Sequence, residues 1–193
     1  MIKEKLKKTE IGIGKNLDFS EKQANNKYIY LALGSNLSSV FGSKIKNLEI
    51  AQLFLINIGI EIIDRSSYFE SKSYPDPSYP NFINCIIKVK TTHTPSKLLN
   101  EILNIEKKIR RIRKTKNEPR VCDIDIIDYK GRVIKKTKKP ILTIPHEFLH
   151  KRSFVLLPLS EINPNWIHPK FHINITQLLN KLSKSDFNSI KKI

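Results

Sequence analysis

From Tyr28 to Tyr129 the apolar pattern of this chain switches between period two and period 3.6 in a set order, and that order leaves few folds open. Tyr28 to Leu33 reads as a buried strand, and Gly34-Ser35-Asn36 breaks it. Ile45, Leu48, Ala51, Leu55 and Ile58 recur at helical spacing, with Gly59 as a stop. Ile60 to Phe69 reads as a second strand and Phe82 to Val89 as a third. Between them, residues 70–81 hold three prolines and form a loop. Thr94-Pro95 opens a helix, a capping hydroxyl followed by proline at the first helical position. Leu98, Ile102, Ile105 and Ile109 give that helix its apolar face, and a basic segment, 110–120, follows. Val121 to Tyr129 reads as a fourth strand. Lys130-Gly131 then turns the chain toward a short hairpin arm around Val133 and Ile141, and mixed loop and short helix follow from Pro145. The order βαββαβ predicts an α+β fold of the ferredoxin-like kind, an antiparallel sheet with helices on one face, extended by the arm and C-terminal helices.

Residues 1–27 are polar, rich in Lys and Asn, and weakly periodic, so they read as a mobile extension to a domain spanning 28–193. Gly12-Ile13-Gly14-Lys15 lacks the preceding strand and the spacing of a phosphate loop. No run of 18 apolar residues offers a membrane span, and no apolar segment follows the basic start as a secretory signal requires. Cys85 and Cys122 lack metal-site spacing and fit a reducing cytoplasm as two small buried side chains. The formal charge of +17 favours anionic partners. Lysine supplies most of it and is spread along the chain, whereas four of the seven arginines, Arg110, Arg111, Arg113 and Arg120, fall in one stretch. Guanidinium groups hold phosphate oxygens in pairs, so that stretch is the informative part of the charge.

The chemistry concentrates around Asp123-Ile124-Asp125. Side chains alternate along a strand, so the two carboxylates share one face while Cys122, Ile124 and Ile126 join the core. Paired carboxylates repel unless a cation lies between them, and magnesium takes few carboxylates and completes its shell with water and phosphate oxygens. With Arg120 just upstream, the set suits phosphoryl transfer. In the third strand Phe82 and Asn84 share the face opposite Ile83, Cys85, Ile87 and Val89. A ring beside an amide could serve a flat heterocycle, by stacking and by paired hydrogen bonds.

Taken together, these blocks resemble the 6-hydroxymethyl-7,8-dihydropterin pyrophosphokinases. The resemblance runs from Tyr28 to Pro164 through Leu33-Gly34-Ser35-Asn36-Leu37, Ser66-Ser67-Tyr68-Phe69, Asn81-Phe82-Ile83-Asn84, Pro119-Arg120-Val121-Cys122-Asp123-Ile124-Asp125-Ile126, Ile144-Pro145-His146 and Arg152-Ser153-Phe154. It implies pyrophosphate transfer from ATP to the pterin, giving AMP, with two magnesium ions on Asp123 and Asp125. It also implies a pterin sandwich between Phe82 and Phe154, with Asn84 reading the pterin edge. Gly34, Ser35, Asn36 and Tyr74 would complete the substrate pocket. Arg111, Arg113 and Arg120 would serve catalysis. Arg111 and Arg120, together with His146 and Arg152, would bind ATP. The sequence departs from the family pattern at Lys116-Asn117-Glu118, where an Arg-Trp-Gly run is common, at Leu103 and at Glu147.

The expected unit is a cytoplasmic monomer acting on two small molecules, with neither membrane nor specific nucleic acid as partner. An RNA-binding ferredoxin-like module is the alternative from another class, since charge and fold would suit it. A metal-dependent nucleotidyltransferase or nuclease would use the same aspartates.

Overall fold

The computed structural model describes residues 27–74, 76–109, 118–135, 137 and 141–193. The expected extension at 1–27 therefore lies outside the described residues, Lys27 apart, as do Arg111 and Arg113.

Strand β1 (Ile29–Ser35) lies in the middle of an antiparallel sheet, between β4 (Phe82–Lys90) and β5 (Asp123–Tyr129). Its residues are apolar on both faces, as a strand covered twice requires. Helix α1 (Lys44–Asn57) is capped by Ser43, whose hydroxyl accepts from Lys46 N, and it stops at Gly59, where φ is +81°. Helix α2 (Pro95–Lys108) starts as the sequence predicts, with Thr94 accepting from Lys97 N and proline in the first turn. Both helices pack on the face that carries Leu31, Leu33, Cys85, Ile87, Ile124 and Ile126. Each such side chain, taken fully out of water, contributes about 1.5–3 kcal/mol.

The segment expected as one strand over 60–69 is two, β2 (Glu61–Arg65) and β3 (Phe69–Ser71), both paired with β4. Ser66 causes the break. Its N donates to Ile86 O (2.9 Å) while its hydroxyl accepts from Ile86 N (3.0 Å), so a side chain stands where a backbone carbonyl would continue the ladder. The expected fourth strand begins two residues later than Val121, at Asp123, although Cys122 is buried among the helix-side residues as predicted. Among the described residues, the hairpin arm is closed by a bridge between Ile134 and Ile144.

The second face of the sheet is covered by the C-terminal part of the chain. Helix α3 (Ser153–Ile162) and helix α4 (Ile175–Asn180) pack Val155, Leu156, Leu159 and Leu178 with Trp166 against Tyr30, Ile86 and Ile127. A short helix, α5 (Lys184–Asn188), leads into β6 (Ile190–Lys192), which pairs with β3. A register shift between Tyr30 and Leu31 in the β1–β5 ladder lets Asp128 turn to this second face, where it meets Trp166. None of the described helices is long and apolar enough to cross a membrane.

Candidate active site

The candidate residues gather at one end of this second face. Toward the C-terminal end of β1 it carries Gly34, flanked in register by Asn84 of β4 and Asp123 of β5, with Ala32 beside Asp125. Cross-strand partners point the same way, so Gly34, Asn84, Asp123 and Asp125 form one surface. A Cβ on Gly34 would stand 3.2 Å from Asn84 Oδ1 and 3.6 Å from Phe82 Cδ1. Glycine therefore lets the Asn84 amide and the Phe82 ring approach the β1 backbone closely. Asn84 is buried and donates through Nδ2 to Ser71 Oγ at 2.9 Å.

Each carboxylate has its own basic neighbours. Arg120 Nε lies 2.9 Å from Asp123 Oδ2, and Arg152 NH1 and His146 Nε2 each lie 3.9 Å from Asp125 Oδ2. The same two arginines stand over aromatic rings: Arg120 is 5.1 Å from the Phe82 centroid and Arg152 is 5.5 Å from that of Phe154. Each guanidinium thus joins one aspartate to an aromatic ring, and Arg152 also lies 5.6 Å from the Phe148 centroid. Phe154 is brought here by the start of α3, which Arg152 precedes.

Burial, reinforced by the charge of Arg152, lowers the His146 pKa to about 4, so the ring is neutral at pH 7. Its Nδ1 accepts from Phe148 N (3.2 Å), which leaves the proton on Nε2, facing Asp125. The contact is therefore dipolar and not an ion pair. His146 N in turn donates to Ile127 O (3.1 Å), tying this segment to β5.

Asp123 and Asp125 have side chains 20% and 38% exposed. No cluster of three or more His, Cys, Asp or Glu suited to a metal occurs among the described residues. Two carboxylates without a third protein ligand fit magnesium, which keeps positions for water and phosphate oxygens, and do not fit a closed structural zinc site.

Other predicted residues sit differently. Ser35 pairs with Ile83, on the helix-covered side, and its hydroxyl donates to Leu37 O (3.2 Å). Asn36 faces the protein interior. Tyr74 is 85% exposed. Sequence reasoning passed over Glu106 and Ser71. Glu106 is buried on α2 and accepts from Ile124 N (2.9 Å), between the two aspartates in sequence, so it anchors their strand. A Glu at a helix position next to Ile105 and in line with Leu98 and Ile102, on an otherwise apolar inner face, was the available signal.

The sequence profile described as 7,8-dihydro-6-hydroxymethylpterin-pyrophosphokinase matches residues 30–164. The 2-amino-4-hydroxy-6-hydroxymethyldihydropteridine pyrophosphokinase of Aquifex aeolicus is 38% identical over 165 residues, covering 86% of this chain and 98% of that protein. The folic acid synthesis protein FOL1 of Dictyostelium discoideum is also 38% identical, over 173 residues, but this chain spans only 24% of its length. In three dimensions, the wild-type HPPK-DHPS of Plasmodium falciparum crystallised with pteroate superimposes with a TM-score of 0.65 at 18% identity, covering 86% of this chain and 47% of that one. That likeness concerns the fold. On the breadth of the profile match and the Aquifex identity, the chain belongs to the 7,8-dihydro-6-hydroxymethylpterin-pyrophosphokinase family.

Proposed function

We propose that Asp123 and Asp125 hold two magnesium ions for the reaction of this family, pyrophosphate transfer from ATP to 6-hydroxymethyl-7,8-dihydropterin. One observation carries the assignment: the two carboxylates lie side by side, and the arginine beside each also stands over an aromatic ring. Phosphate-binding groups and ring-binding groups therefore meet at the carboxylates.

In this reading the pterin lies in a slot above Gly34, between Phe82 and Phe154, with its polar edge toward Asn84. The hydroxymethyl oxygen attacks the β-phosphorus in line. The bond from that phosphorus to the oxygen of the α-phosphate breaks, AMP leaves with the electron pair, and the hydroxyl proton passes to solvent. Magnesium, when bound, neutralises triphosphate charge and polarises the phosphoryl oxygens. The protein's share is placement and fixed dipoles. Arg120 pairs with Asp123 through Nε, and in this reading the rest of its guanidinium turns to a phosphate oxygen once a cation balances the carboxylate. Neutral His146 offers Nε2–H as a donor that carries no charge to be desolvated, and Arg152 offers its guanidinium beside it. Arg111 and Arg113 belong to the same phosphate-binding set in this proposal.

The RNA-binding reading gains nothing on this face, where Asp123 and Asp125 would repel a phosphodiester backbone. We take the acting unit to be a monomer, which sedimentation at the assay concentration checks. The functional test is product analysis with ATP, magnesium and the pterin. Equal amounts of AMP and pterin pyrophosphate support the proposal; ADP, or turnover that needs nucleic acid, refutes it.

A further inference from the structure

Asn36 follows β1, is 2% exposed, and has its side-chain amide engaged on both ends. The backbone N–H of Arg120, which can only donate, reaches Oδ1 at 2.6 Å. The carbonyl of Pro80, which can only accept, receives Nδ2 at 3.2 Å. The other Nδ2 hydrogen goes to Ser73 Oγ at 3.3 Å, and the Ser73 hydroxyl donates to the same Pro80 carbonyl at 2.7 Å. These partner types admit one orientation of the amide and leave it no N–H for a ligand. The main chain doubles the link, since Asn36 N and Leu37 N both donate to Arg120 O, at 3.1 and 3.3 Å.

We infer that Asn36 is a positioning residue that ties the loop leading into Phe82 to the segment carrying Arg120, and so sets the pterin slot and the phosphate-binding arginine relative to each other. This rests on the proposed function above. At one end of the tie, Ser73 and Pro80 belong to the loop between Ser71, the partner of Asn84, and Phe82. At the other end, Arg120 pairs with Asp123 and stands over Phe82. A shift of either end moves the other, because the three hydrogen bonds share one buried, planar group. Asn36 therefore acts through its neighbours and does not touch substrate.

Substitutions can cut the tie at one end or both. Asn36→Asp keeps the acceptor for Arg120 N, loses both donors, and sets a carboxylate against the Pro80 carbonyl. It is expected to raise the pterin KM about tenfold while the ATP KM stays within about twofold. Asn36→Ala cuts both ends and is expected to raise both KM values. Ser73→Ala is expected to raise the pterin KM about threefold, with Ser73→Thr restoring it. Steady-state kinetics on variants whose fold is verified by circular dichroism read all four. Equal rises in the two KM values for Asn36→Asp, or no change beyond about twofold in either Asn36 variant, overturn the inference. If the Asn36 variants do not fold, the serine pair decides: a pterin KM that Ser73→Ala leaves unchanged, or that Ser73→Thr does not restore, overturns it. Wild-type turnover to AMP and pterin pyrophosphate is the control. Its absence is a failure of the functional proposal, whereas unchanged variants beside an active wild type are a failure of this inference alone.

Discussion

Arg120 Nε approaches Asp123 Oδ2 to 2.9 Å, and the same guanidinium stands 5.1 Å above the Phe82 ring. One side chain thus touches a candidate metal ligand and one face of the candidate pterin slot. Lysine could keep the charge but not the planar contact with the ring. Arg120→Lys is expected to lose about tenfold, and Arg120→Ala about a hundredfold, in kcat/KM for the pterin. Initial-rate measurements at saturating ATP check the order; equal losses would mean that charge alone matters.

A methyl group at Gly34 would crowd Asn84, whose Oδ1 lies only 3.2 Å from the position of the added Cβ. The backbone there is ordinary extended strand, so Gly34→Ala is a steric probe and not a conformational one. It is expected to weaken pterin binding about tenfold and, because the Asn84 amide must give way, to lower the melting temperature by only a few degrees. Calorimetric titration with a pterin analogue, alongside a thermal melt, separates these. A large fall in melting temperature with unchanged affinity would contradict the slot.

Phe154 lies beside Arg152 at the start of α3, and Phe82 beside Arg120 on β4. Stacking on a flat ring is worth roughly 1 kcal/mol per face beyond buried area. Phe154→Ala and Phe82→Ala are each expected to raise the pterin KM about tenfold or more and the ATP KM far less. Equal effects on both substrates would count against a sandwich.

Asp128 is buried, accepting from Trp166 Nε1 (2.8 Å) and Gly131 N (2.9 Å), and burial raises its pKa from 3.8 to about 6 despite those hydrogen bonds. Between those values the folded chain keeps a proton that the unfolded chain has released. Its contribution to stability is therefore fully present below about pH 4 and is lost as pH rises through about 6, a change of roughly 3 kcal/mol. Asp128→Asn cannot titrate. The stability of wild type minus that of the variant is expected to fall between pH 4 and pH 7 in urea unfolding. A difference independent of pH would contradict the assignment.

Local patterns carried most of the fold. The cap at Thr94, the stop at Gly59 and the alternation through Phe82–Val89 each follow from residues close in sequence. The carboxylate pair was legible for the same reason, because period two alone puts Asp123 and Asp125 on one face. What escaped depends on distant partners. Ser66 interrupts a strand only because Ile86 is opposite it. Helix α3 has apolar residues nearly all round and Pro158 inside, so no helical period marks it until the second sheet face and α4 enclose it. Asn36 reads as a turn residue, and its three long-range hydrogen bonds span 37, 44 and 84 positions.

The aspartate pair is tested most directly by the magnesium dependence of AMP release in wild type, Asp123→Asn and Asp125→Asn. Asparagine keeps the size of the side chain and removes the charge that would hold a cation. The account predicts magnesium-dependent AMP release by wild type and a loss of at least about a thousandfold in each variant, with the circular dichroism spectrum unchanged. Transfer by either folded variant at close to the wild-type rate would contradict it.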